Sequence, residues 1–340
     1  MSKMMLSVVF GFYMLVLLDP GLRAQTDQAS APEAIKAIAV APAAAFSAQS
    51  VAFDGTAISA SLARIAGELE LIRLEMGCPL ATPLGISIHG AHLHNVYFHA
   101  QALLEKSNRL TFEQTFTKSQ LPSVTPVKKI VIDDVQALLD RVEKQLGGIK
   151  RVLVVSEAPL STGAGSKVDA SELLLTILGI NKQINLLLER RYAPRDVYQK
   201  ATLSVHYMAR ILDRFPDTRH IPEEPASERR KTPTDVFLRL HHCHELLVGI
   251  CQTANLAIPE LELTAPSDER SPSDVYDLAV LVVTDLAYLH TVMGDLDPPV
   301  RVLDPGRKFP SHVFQRVGLL EKQIGLLADN AARKADWIAP

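Results

Sequence analysis

A phrase of Pro, a polar residue, Asp, Val and an aromatic recurs in this chain as Pro194-Arg195-Asp196-Val197-Tyr198, Pro233-Thr234-Asp235-Val236-Phe237 and Pro272-Ser273-Asp274-Val275-Tyr276, and more loosely as Pro310-Ser311-His312-Val313-Phe314. The valines stand 39, 39 and 38 residues apart. A fixed period of this length marks a structural repeat, because each copy is one supersecondary unit that must bury its apolar face on its neighbours. The same ruler carried toward the N-terminus meets Ile58, Val96, Val135 and Leu173, spaced by 38, 39 and 38. Only the step from Leu173 to Val197, 24 residues, breaks the series and divides the eight copies into two sets of four. The sets are offset by about 140 residues, which reads as a tandem duplication. Lys182-Gln183-Ile184 and Leu186-Leu187 return 140 residues later as Lys322-Gln323-Ile324 and Leu326-Leu327, independently of the valine ruler.

Each copy carries a helical pattern. Four residues beyond the ruler stand Leu62, Ala100, Leu139, Ile177, Ala201, Leu240, Ala279 and Val317, and fourteen beyond stand Ile72, Leu110, Ile149, Leu187, Ile211, Ile250, Leu289 and Leu327, all apolar. Offset 7 fails only at Ser204 and offset 11 only at Ser107. Steps of four and three keep one seam on one helical face, and a strand would not produce them. Thr232 and Ser271 are N-cap residues, Pro233 and Pro272 take the first helical position where no amide donor is needed, and Asp235 and Asp274 complete capping boxes. Asp169 and Glu172 form a similar pair.

The expectation is therefore an all-α fold of eight helices, as two tandemly duplicated four-helix bundle units with long extended connectors. Helices of about 20 residues leave connectors of about 18, long enough to run back along a helix of about 30 Å. That length admits parallel or antiparallel order. Between the fourth and fifth helices the short link requires an antiparallel hairpin or a sharp kink.

Low aromatic content, 6% of residues against 47% hydrophobic, agrees with Ala/Leu-rich helices. A net charge of -3 argues against nucleic acid as a partner. Lys3 followed by the apolar run 4–18 and Leu22-Arg23-Ala24 predicts a signal peptide over 1–24 and a periplasmic or secreted location, with an uncleaved membrane anchor as the alternative. Residues 25–50, rich in Ala, Ser, Gln and Pro, read as a flexible tether, followed by helical units over 51–192 and 193–340. Of Cys78, Cys243 and Cys251, the last two are eight residues apart on one helix and cannot bond to each other, so only Cys78 could pair with either.

The chemistry-bearing residues are few. His241, His244 and Glu245 share a helical face and are ligand types suited to a divalent transition metal, and His92 and His94 belong to a second grouping with His89 and His99. A zinc-hydrolase helix fails because Val248 stands where its second histidine belongs, and packing histidines are the weightier reading. The 161–167 segment lacks phosphate-loop spacing. Tyr97, Tyr198, Phe237, Tyr276 and Phe314, one residue past the ruler, line a shared pocket if the helices are parallel, or else pack individually on connectors. The functional expectation is a non-enzymatic periplasmic binding or scaffold protein that presents its connectors or inter-unit groove to another periplasmic or envelope protein. The alternative is a small-ligand or metal-binding sensor or carrier using the histidines; no other cofactor is expected.

Overall fold

A computed structural model describes residues 54–340, apart from residues 84, 124, 160–167, 265–269, 296, 301–302, 304–305, 335–336 and 339–340. The signal segment, the tether and the 161–167 segment lie outside the described residues. The chain is mostly helical: α1 (Thr56–Glu75), α2 (Leu93–Thr115), α3 (Ile132–Val152), α4 (Ala170–Leu187), α5 (Pro194–Leu212), α6 (Pro233–Thr253), α7 (Pro272–Val292) and α8 (Pro310–Arg333).

The recurrent phrase is a helix start. Pro194, Pro233, Pro272 and Pro310 are the first residues of α5 to α8, and the residue three places into each helix, just before the ruler residue, accepts a hydrogen bond from the N-cap amide. Asp196 takes that of Ala193 at 2.8 Å, Asp235 that of Thr232 at 2.7 Å, Asp274 that of Ser271 at 2.9 Å and His312 that of Phe309 at 3.0 Å. Asn95 and Asp134 do the same for α2 and α3. Thr232 and Ser271 reciprocate by accepting from the amides of Asp235 and Asp274, and Asp169 accepts from Glu172. These side chains satisfy amides that a helix start leaves without intrahelical partners.

Every seam position is buried, from Ile58, Leu62, Ile65, Leu69 and Ile72 of α1 to Val313, Val317, Leu320, Ile324 and Leu327 of α8. The two serine exceptions are buried as well: Ser204 Oγ donates to Lys200 O at 3.2 Å, and Ser107 Oγ donates to Gln145 Oε1. Each of α1 and α2 packs on both α3 and α4, and each of α5 and α6 packs on both α7 and α8. Of the helices adjacent in sequence within a set, only α2 with α3 and α6 with α7 are in extensive contact; the others pack on more distant members.

Direction follows from paired residues. Ser61 meets Gln136, Arg64 meets Glu143 and Glu68 meets Lys150, so α1 and α3 ascend together. Tyr198 meets Arg316 and the Val205 carbonyl meets Gln323, so α5 and α8 do likewise. Pro194, Pro233, Pro272 and Pro310 line one small crevice with Val197, Val236, Val275 and Val313, which brings all four N-termini of the second set to one end. Each connector must therefore travel back the length of a helix before the next begins. Between the sets, Lys106 pairs with Asp277 near the start of α7 while His94 stacks on Tyr288 near its end, so α2 and α7 are antiparallel.

The returning connectors are clamped alike in both sets. Lys182 Nζ donates to Pro83 O at 3.3 Å, and Lys322 Nζ donates to Glu223 O at 3.0 Å; both donor and acceptor are 140 residues apart. The Ala91 amide donates to Ser171 Oγ, and the Lys231 amide donates to Ser311 Oγ, again at that offset. Gln183 holds Pro79 O and the Ala81 amide, while Gln323 holds His220 O and Val205 O. Gln183→Leu and Gln323→Leu should each cost about 1–3 kcal/mol, since backbone polar groups lose buried partners. Urea unfolding checks this; a loss in one variant only would mean that the two clamps are not equivalent.

The all-helical expectation misses one element. β1 (Ile86–His89), in the α1–α2 connector, pairs antiparallel with β2 (Glu260–Leu263), in the α6–α7 connector, with Ile86 opposite Leu263 and Ile88 opposite Leu261. Ile86, Ile88 and Leu261 are buried beneath this two-stranded strap, which ties one set to the other. Among the described residues α7 is the one helix long and apolar enough by composition to cross a membrane, yet 89% of its apolar window is buried inside the protein.

Candidate functional site

Two sets of residues compete for attention, and the geometry separates them. The histidines singled out in the sequence do not converge into one ligand set. His244 is buried with its Nε2 3.3 Å from Asp285 Oδ2 on α7, whereas His241 Nε2 lies 3.3 Å from Leu261 O in β2. Glu245 is exposed and reaches His241 and His242, each at 3.6 Å, rather than His244. His92 caps α2, and His94 is stacked between His92 and Tyr288 with its Nε2 3.0 Å from Ala257 O. Burial pushes the His94 imidazole down to about 4, which opposes its protonation at neutral pH. His89 is exposed, 3.8 Å from Glu262. Among the described residues there is no group of three or more His, Cys, Asp or Glu side chains placed to hold a metal ion.

The aromatic series also disperses. Phe237 lies under Arg270 at 4.4 Å, Phe314 under Lys231 at 4.2 Å and Tyr198 under Lys308 at 4.5 Å, each a cation from a connector. Tyr97 OH accepts from the Thr125 amide. Tyr276 differs: it stacks on Tyr192 at 3.6 Å and borders the space between the two sets. All three cysteines are free thiols, and burial pushes those of Cys243 and Cys251 up, so they are poor nucleophiles.

What the structure does assemble lies along α7. α7 packs on α5 and α6 in its own set and on α2 and α4 of the other. Three of its aspartates face partners there. Asp274 pairs with Lys182 at 2.9 Å; Asp277, buried, pairs with the buried Lys106 and accepts from Asn185 Nδ2 at 2.8 and 2.9 Å; Asp285 faces His244. Burial would raise Asp274, but hydrogen bonds from Lys182 and Ser271 outweigh it and hold the carboxyl below its usual value. For Lys106 burial is the larger influence, so its ammonium is lowered despite Asp277. His99 of α2 is buried with neither ring nitrogen partnered among the described residues, and burial pushes it down to about 3, aided by Lys106 and His244.

Beside this polar stripe runs a groove with α7 as its floor and α2 and α5 as its walls. One cavity of about 320 Å³ is lined by Phe98 and Ala102 of α2, Leu203 and Tyr207 of α5, and Val280, Val283 and Ala287 of α7. A second, of about 280 Å³, is lined by Arg109, Tyr192, Asp196, Thr202 and Tyr276. Glu105, Lys200 and Leu203 border both, so the two form one continuous trough. The first cavity is mostly apolar, whereas the junction and the Tyr276 end are polar: Arg109 lies 4.7 Å over Tyr192, and Lys200 lies 5.7 Å over Tyr276 and 3.4 Å from Glu105. His244 and Asp285 line neither cavity, so a molecule in the trough does not touch that pair. Sequence reasoning offered a groove between the units as a partner surface but named none of its lining residues, because its walls belong to different sets.

Comparison with protein-family profiles, with characterised proteins and with solved structures finds no match for this chain.

Proposed function

We propose that the chain is an exported, non-enzymatic binding protein built by tandem duplication of a parallel four-helix bundle with long returning connectors, and that it holds a small elongated ligand in the trough between the two units. The duplication is supported by clamps that repeat at a 140-residue offset. Export is supported by the N-terminal apolar segment. The observation that carries the binding reading is the trough itself: α2 and α5 both pack on α7, yet leave an apolar channel with a charged end between them. A ligand there is mostly apolar with one polar end, the usual composition of small-molecule sites. The unit interface positions the site, and the surface connectors are free to meet an envelope protein that delivers or receives the ligand.

Native mass spectrometry of untagged protein taken from a bacterial periplasm tests this. The expected result is a retained small molecule, lost in Ala102→Trp, whose indole fills the channel. Ligand at about 100 times its Kd stabilises the wild type by about 2.7 kcal/mol, and the variant should gain nothing. If no bound mass is found and an envelope extract leaves the melting temperature unmoved, the binding reading is wrong.

A further inference from the structure

Another cavity, of about 660 Å³, lies between the C-terminal halves of α2 and α3, away from the trough. Its lining is one-sided in charge. Arg141, Lys144 and Arg151 of α3 contribute cations, Thr111, Thr115 and Ser119 contribute hydroxyls, and none of the lining residues is acidic. The three cations are exposed and fall on one helical face, with Gly148 between Lys144 and Arg151 leaving the space open. Arg141 and Arg151 are ten residues apart, about 15 Å along the axis, so the stripe accommodates more than one anionic group. Lys144 has no ion-pair or hydrogen-bond partner among the described residues.

An independent sign of a ligand comes from Gln145, which is 5% exposed and lines the same cavity. Its Oε1 accepts from Ser107, and its buried Nε2 donor has no partner. A buried donor left unpaired is costly unless something else supplies the acceptor. Two exposed apolar residues close in sequence to the lining add a third feature. Phe116, between the lining residues Thr115 and Thr117, is 82% exposed at φ 57°, and Val154, two residues past the lining Val152, is 87% exposed at φ 58°. Bulky side chains in left-handed backbone are strained, and neither is used by the core.

We infer that this cavity binds an amphiphile that carries at least two phosphate groups, with the phosphates among Arg141, Lys144, Arg151 and the Gln145 amide and the apolar part against Phe116 and Val154. Arginine, lysine and an unpaired amide donor are a set suited to phosphate oxygens, whereas the Thr111 and Thr115 hydroxyls already donate to Ser107 O and Thr111 O. Titration calorimetry with inorganic pyrophosphate and with farnesyl pyrophosphate tests both halves of this inference. Expected are saturable one-to-one binding of both, at least tenfold tighter for the farnesyl compound. Lys144→Gln/Arg151→Gln should weaken both ligands at least tenfold with an unchanged melting temperature, since these side chains are exposed. Phe116→Ser should remove the farnesyl advantage and leave pyrophosphate binding as it was. Equal affinities for the two ligands, no saturable binding to either, or wild-type binding in the double variant would each overturn the inference. Because the trough is untouched by these substitutions, ligand retention in Ala102→Trp and these titrations fail or succeed separately.

Discussion

Lys106→Met should lower the unfolding free energy by about 3–5 kcal/mol, because it strands the Asp277 carboxylate in a site from which water is excluded. Both side chains are buried, at 4% and 3% exposure, and the pair joins the two sets of helices. Asn185 alone, with two hydrogen bonds to Asp277, cannot neutralise it. The double variant Lys106→Met/Asp277→Leu should recover most of the loss, since well-packed apolar groups often replace a buried ion pair at little cost. Thermal unfolding of the four members of the cycle measures this, with a fall on the order of 10 °C for Lys106→Met. Equal losses in the single and double variants would mean that the pair holds the interface through packing rather than charge.

Acid should weaken the fold well above the pH at which carboxylates protonate. In the folded protein burial lowers His94 to about 4 and His99 to about 3, against an ordinary 6.5. A depressed histidine contributes stability that is fully present above the unfolded value and is lost as pH falls from 6.5 toward the folded value. Between pH 6.5 and 4 the unfolded chain binds up to two more protons at these sites, so stability falls by up to about 2.7 kcal/mol per pH unit. Asp285, raised by burial, binds its proton in the folded state and opposes part of that slope. Urea midpoints at pH 7.5, 6 and 5 should decline, and His99→Leu should both flatten the decline and raise stability at neutral pH, since neither ring nitrogen has a partner to lose. A loss of stability in His99→Leu would instead assign the ring a partner.

The helices were legible because periodicity is a local property. Val135, Leu139, Val142, Leu146 and Ile149 share one face whatever surrounds them, and Asp235 caps its helix through an amide three residues away. Helix direction was not legible, since connectors of this length can either turn or return. Nor was the strap: Ile86-Ser87-Ile88-His89 and Glu260-Leu261-Glu262-Leu263 alternate as strands do, but each is short and its partner lies in the other set. The polar stripe left one sign, in that Asp277 and Asp285 interrupt the most apolar of the described helices. The partners of the histidines were not legible for a related reason. Spacing fixes the angle between His241 and His244 on α6, but the packing of α7 and β2 decides what each ring meets.

Parallel helices with returning connectors underlie the whole account, and spin-label distances test that order. With the native cysteines replaced by serine or alanine, labels at Gln252 and Ala332 sit at the C-terminal ends of α6 and α8, which pack on each other, whereas Leu238 sits near the N-terminal end of α6. Parallel order predicts a Gln252–Ala332 separation under about 20 Å and a Leu238–Ala332 separation of about 30 Å, from the rise of 1.5 Å per residue and helix spacings of 8–10 Å. The reverse ranking would show α8 running against α6 and would contradict the gathered N-termini on which the proposed duplication and the trough both rest.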